Sequence, residues 1–134
     1  MSQTDTIADF ITRIRNASFA KKDTLECPLS NMRKSISEIL KREGFIRDFR
    51  VMKDKRQGLL RIYLKYSAQK DKIPAITNLK RISKPGLRIY EKGADIPTIL
   101  GGRGIALVSA SKGVLTDTEC REQNIGGEVL CYVW

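Results

Sequence analysis

Apolar residues at Ile7, Phe10, Ile11 and Ile14 recur at helical spacing, with Asp5, Asp9, Thr12 and Asn16 on the opposite face, so an amphipathic helix is expected near the start. Asp5 is its expected N-cap. A short strand over Thr24 to Cys27 should lead through Pro28-Leu29 into a second helix capped by Ser30, buried through Met32, Ile36, Ile39 and Leu40, and stopped at Gly44. Two runs of β character follow, Phe45 to Lys53 and Leu59 to Tyr66, with Asp54-Lys55-Arg56-Gln57-Gly58 as the hairpin loop between them. Alternation sends Leu60, Ile62, Leu64 and Tyr66 one way and Arg61, Tyr63 and Lys65 the other.

The polar stretch 67–72 reads as a linker. Beyond it, Ile76 to Ile82 and Leu87 to Lys92 flank Ser83-Lys84-Pro85-Gly86, whose Pro-Gly centre predicts a tight turn joining antiparallel strands. Asp95 to Leu100 is expected to form one helical turn closed by Gly101-Gly102. A strand from Ile105 to Ala110, a loop of small hydroxyls ending in Lys112-Gly113, a short helix from Asp117 to about Gln123 and a last strand from Glu128 complete the pattern. The expected fold class is α+β in two small lobes. Residues 1–66 form a helix-strand-helix-strand-strand lobe, 67–72 the linker, and 73–134 a mostly antiparallel β lobe with one short helix.

Charge narrows the partner. Twenty-five Lys and Arg against fifteen Asp and Glu give a net charge of +10, which favours nucleic acid or another acidic surface. Histidine is absent, removing the Ser-His-Asp triad, His-ligated zinc and the usual general base near neutral pH. Cys27, Cys120 and Cys131 form no C-x-x-C, so no disulfide framework or zinc ribbon is indicated, and reduced thiols acting as small hydrophobes are expected. No metal or cofactor is implied. The first residues lack the charged and apolar regions of a signal peptide, and no apolar run approaches the roughly 20 residues of a membrane span, so a cytoplasmic address is expected.

Gly101-Gly102-Arg103-Gly104 lacks the spacing of a phosphate-binding glycine loop and reads as a turn before a strand, with Arg103 left as a possible phosphate contact. Ser109-Ala110-Ser111-Lys112 matches S-x-x-K, the serine-lysine pair of some acyl-transfer enzymes, but the partner tripeptides S-D-N and K-T-G are missing. As a binding element the same residues make better sense: Ser109 and Ser111 donate to phosphate, ribose or base edges, and Lys112 adds charge. Tyr90 either presents its ring to an unstacked base or packs on its own sheet. Glu128, after Gly126 and Gly127, is suited to accepting hydrogen bonds from backbone or Ser hydroxyls and so holding the neighbouring loop. Arg13 and Arg15 flank the apolar stripe of the first helix, where they either reach phosphates or lie along the surface.

Three stretches together carry a resemblance: D-T-I-A-D-F-I-T-R-I-R-N from Asp5, S-K-P-G-L-R-I-Y from Ser83, and G-G-E-V-L-C-Y-V-W from Gly126. With G-I-A and S-K-G-V between them, the chain resembles the bacterial small-subunit ribosomal protein eight family over essentially its whole length. The resemblance implies a non-enzymatic, two-lobed protein of the small ribosomal subunit that binds the central domain of 16S rRNA early in assembly, beside other small-subunit proteins. It implies RNA contacts by Ser109, Ser111, Lys112 and Gly113, with Tyr90 and the Gly126-Gly127-Glu128 turn beside them, and by Thr12, Arg13, Arg15 and Asn16 on the first helix. Lys84, Arg88 and Arg103 are added as basic contacts. Some members also repress their own messenger through a mimic of the rRNA site, and an organelle-encoded copy would share this pattern. Two positions depart from the family: Ala110 replaces the usual central threonine of the serine loop, and Thr6 replaces the proline after Asp5.

Overall fold

The computed structural model describes residues 5–53, 57–68 and 72–134. Residues 54–56 of the expected hairpin loop and 69–71 of the expected linker lie outside these. The fold is α+β, with three α-helices and two antiparallel sheets among the described residues. Its contacts divide into two units, one of residues 9–77 and the other of the segment through Ala8 with residues 78–134.

The first unit follows the expected order: α1 (Thr6–Phe19), β1 (Thr24–Pro28), α2 (Asn31–Arg42), β2 (Ile46–Met52) and β3 (Leu59–Leu64). Both helix caps are as expected: the Asp5 carboxylate accepts from the Ala8 N–H at 3.0 Å, and the Ser30 hydroxyl accepts from the Arg33 N–H at 3.1 Å. The sheet order is β1-β3-β2, and Leu60, Ile62 and Leu64 turn inward. In α2 the buried stripe differs from expectation. Met32 is half-buried, whereas Arg33 and Ser37 lie inside with Ile36, Ile39 and Leu40. Arg33 tolerates this because its guanidinium donates to the Pro28 carbonyl at 2.8 Å and to Asp9 at 3.1 Å, and sits over the Phe10 ring.

The second unit contains β4 (Leu79–Arg81), β5 (Tyr90–Glu91), β6 (Ile105–Ala110), β7 (Gly113–Thr116), α3 (Asp117–Gln123) and β8 (Gly127–Val133). The strand order is β4-β8-β6-β7, and β5 also pairs with β8. Two expectations are corrected here. The Pro-Gly turn does not join two strands that pair with each other: β4 pairs with residues 131–133 of β8, and β5 with 127–128. Residues 84–88 are an excursion from one interrupted edge, closed where Lys84 and Leu87 exchange backbone hydrogen bonds and where the Ile89 N–H donates to the Ser83 hydroxyl. Secondly, Asp95 to Leu100 is not one helical turn. Pro97 holds Ile96 extended, and 3-10 turns form on either side, at Gly93–Asp95 and Leu100–Gly102. As expected, β6 runs from Ile105 to Ala110, which leaves Ser111-Lys112 as a two-residue hairpin turn. Gly113 closes that turn at φ +116°, where a side chain would be strained.

One face of this sheet packs Ala106 and Val108 with Cys120 of α3 and with Ile96 and Ile99. The thiols of Cys27, Cys120 and Cys131 are all buried and free, and burial pushes Cys131 up to about 12. Leu107, fully buried at the centre of β6, carries the clearest energetic expectation. Leu107→Ala should lower unfolding free energy by about 2–5 kcal/mol in a urea titration, and a loss well under 1 kcal/mol would contradict a close-packed centre.

Candidate nucleic-acid interface

Strand β8 places the predicted residues of the second unit. Glu128 pairs with Tyr90 of β5 on one side and with Ser109 of β6 on the other. Directly opposed residues project from the same face, so Tyr90, Glu128 and Ser109 form one row across the sheet. Tyr90 is 67% exposed, which decides between its two readings in favour of an open ring rather than one packed on its sheet. One step further along β6 comes the turn, with Ser111, Lys112 and Gly113 exposed. The Lys112 ammonium makes a long 3.4 Å contact with the Gln123 side chain.

Close backbone passage at the start of β8 requires its two glycines. A Cβ on Gly126 would fall 2.3 Å from the Glu91 carbonyl oxygen, and one on Gly127 would fall 2.3 Å from that of Ser109. Either would push β8 away from its neighbours.

Glu128 does hold a loop, though not the one expected. Its carboxylate accepts from the Ser83 hydroxyl at 2.5 Å and from Arg88 at 3.0 Å, tying down both ends of the 84–88 excursion instead of the Ser111-Lys112 turn. Burial raises the Glu128 carboxyl, but the Ser83 and Arg88 hydrogen bonds and the charges of Arg88 and Arg81 outweigh it, leaving it below its ordinary value of 4.5. Arg88 is therefore partly committed within the protein, while its side chain remains 47% exposed. Lys84, at the start of the excursion, is exposed and extends the basic rim. Arg103 is exposed beyond the Leu100–Gly102 turn, in a segment whose glycines adopt positive φ and form no phosphate cradle.

Two residues that support this site were missed from sequence. Ser83 is completely buried, with its hydroxyl donating to Glu128 and accepting from Ile89. Arg81 donates to Asp5 at 3.1 Å and to the Leu130 carbonyl at 2.5 Å, anchoring the segment before α1 to the β4–β8 edge. Burial raises the Asp5 carboxyl, yet the Arg81 and backbone hydrogen bonds hold it below 3.8. A serine before Lys-Pro-Gly is an ordinary turn signal, so nothing local distinguished Ser83.

In the first unit, Thr12, Arg13, Arg15 and Asn16 are all exposed on α1. Arg13 is partly committed, donating to Asp9 at 2.9 Å and to the Glu26 carbonyl at 3.2 Å. Arg13 and Asn16 line a groove with Lys22, Thr24, Glu26 and Arg61.

The profile of the family described as Ribosomal protein S8 matches residues 5–134. This chain belongs to that family. Over 134 residues and the full length of both chains it is 57% identical to small ribosomal subunit protein uS8 of Streptococcus uberis, and 58% identical to the protein of that name in Streptococcus thermophilus. A relative of the same name in Streptococcus pneumoniae is 56% identical over the same span. The family is one of structural proteins, which removes the acyl-transfer reading of Ser109 and Lys112. The geometry agrees: Ser109 lies within a strand and not at a helix start.

Because Glu128 and Asp5 are both depressed in the folded state, the stability they contribute is present above their ordinary values of 4.5 and 3.8 and is lost as pH falls through the folded values. The urea midpoint should therefore hold near neutrality and drop on acidification toward about pH 3. Glu128→Gln should show a lower midpoint at neutral pH and a shallower acid decline. A decline as steep as wild type would exclude Glu128 as a stabilising anion.

Proposed function

We propose that this protein is a structural constituent of the small ribosomal subunit that binds the central domain of 16S rRNA directly and aids subunit assembly. The observation that carries the reading is the row of Tyr90, Glu128 and Ser109 beside the exposed Ser111-Lys112 turn and the basic 84–88 excursion. An open aromatic ring, hydroxyl donors and cations at one sheet end suit an irregular RNA stem with unstacked bases. The names of the relatives agree with a place in the small subunit, and with it a ribosomal, cytoplasmic address and neighbours among small-subunit proteins. No helix among the described residues is long and apolar enough to cross a membrane.

The division of labour follows from the chemistry. Lys84, Lys112 and the outer side of Arg88 neutralise phosphate, which supplies affinity without sequence preference. Ser109, Ser111 and Tyr90 discriminate, because their polar groups and ring are satisfied only by the correct RNA surface. Glu128, although negative, serves this site by fixing Ser83 and Arg88 and not by meeting RNA. Ala110 supplies no hydroxyl, so discrimination rests on the serines either side. Thr12, Arg13, Arg15 and Asn16 add backbone contacts from α1.

Ser111→Ala should cost about 1–3 kcal/mol in binding to a central-domain 16S fragment at fixed salt, with the salt dependence of wild type. Filter binding measures both quantities. Unchanged affinity would remove the turn from the interface.

A further inference from the structure

The outer face of the β1-β3-β2 sheet plays no part in the reading above, yet it carries an ordered set of charges. Tyr63 is paired with Thr24 and Asp48, and Arg61 with Glu26 and Arg50, so these side chains leave the face opposite Leu60 and Ile62. Arg47 sits in the register irregularity between Ile46 and Asp48. The guanidinium carbons of Arg47 and Arg50 lie 5.4 and 6.0 Å from the centre of the Tyr63 ring. Both side chains are on exposed residues.

Neighbouring cations are already committed. Arg61 binds Glu26 through two donors at 2.8 and 2.6 Å, and Lys41 holds Asp48 at 3.0 Å. Asp48 lies in the field of Arg50, but its bonded oxygen is occupied by Lys41 and by the Phe49 N–H. Among the described residues, no hydrogen bond or ion pair engages the guanidinium groups of Arg47 or Arg50. Stacking against a ring orders a guanidinium while leaving its in-plane donors directed outward, the arrangement suited to a bidentate oxyanion. Tyr63 itself is flanked by charge, so it is not available as the desolvated aromatic anchor that a protein partner would use. The face is thus built for electrostatic capture of a polyanion.

We propose that Arg47 and Arg50, positioned by Tyr63, form a second RNA contact that grips phosphate backbone without reading sequence. The proposal rests on the RNA-binding reading above and extends it to a surface on the other unit, separate from the Ser111-Lys112 turn. Its signature is a change in salt dependence.

The test is filter binding of the full chain to 16S rRNA over a salt series, comparing wild type with Arg47→Gln/Arg50→Gln and Arg47→Lys/Arg50→Lys. The Gln pair should weaken binding about 3- to 30-fold and flatten the slope of log K against log salt by about 1 to 2. The Lys pair, which keeps the charge and guards against a folding artefact, should retain most of the slope. A wild-type slope in the Gln pair would overturn the patch while leaving the Ser111 site standing, whereas no binding by wild type would overturn the RNA reading itself. A wild-type slope combined with loss of a neighbouring protein from reconstituted particles would also overturn it, and would assign the patch to an acidic protein segment.

Discussion

The second unit depends on β8 being paired along both edges. Residues 127–133 meet β6 on one side and the interrupted β4–β5 edge on the other, and the crossing at Glu128 brings Tyr90 and Ser109 side by side. That crossing is narrow. Gly126 and Gly127 are the only residue type that fits against the Glu91 and Ser109 carbonyls, and the Glu128 carboxylate then fastens the excursion that carries Lys84 and Arg88. An acidic residue within a basic surface is here a fastening, one that works only while the carboxylate is ionised.

The cations fall into two groups according to what holds them. Arg33, Arg61 and Arg81 are bound to Asp9, Glu26 and Asp5, and they organise the protein. Lys84, with Arg47 and Arg50 on the other unit, is directed outward, and these residues hold the surface charge available to a polyanion. Net charge of +10 therefore overstates the charge available for binding. Placement decides which part of it is usable.

Much of the fold was legible because local rules dominate there. The stripe Ile7, Phe10, Ile11, Ile14, the caps at Asp5 and Ser30, and the alternation of Leu60, Ile62 and Leu64 all report short-range periodicity, and each appears as read. What sequence could not supply was pairing between distant strands. Pro85-Gly86 signals a turn, but whether its flanks pair with each other or with β8 depends on residues 127–133, more than forty positions away. For the same reason the sequence points Glu128 at the serine turn, when its partners are Ser83 and Arg88. Arg33 goes unnoticed in the sequence because a buried guanidinium leaves no periodic signal.

The central proposal is that the end of the sheet carrying Tyr90, Ser109 and the Ser111-Lys112 turn is the principal RNA surface. The exposed face of α3, with Thr118, Glu122 and Gln123, is the natural comparison, since it belongs to the same unit but is acidic. Ultraviolet cross-linking of the full chain to 16S rRNA, with the attached peptides mapped by mass spectrometry, separates the two most directly. The account predicts cross-links at Tyr90 and within residues 109–113. Cross-links on α3, with none at Tyr90 or in that turn, would contradict it.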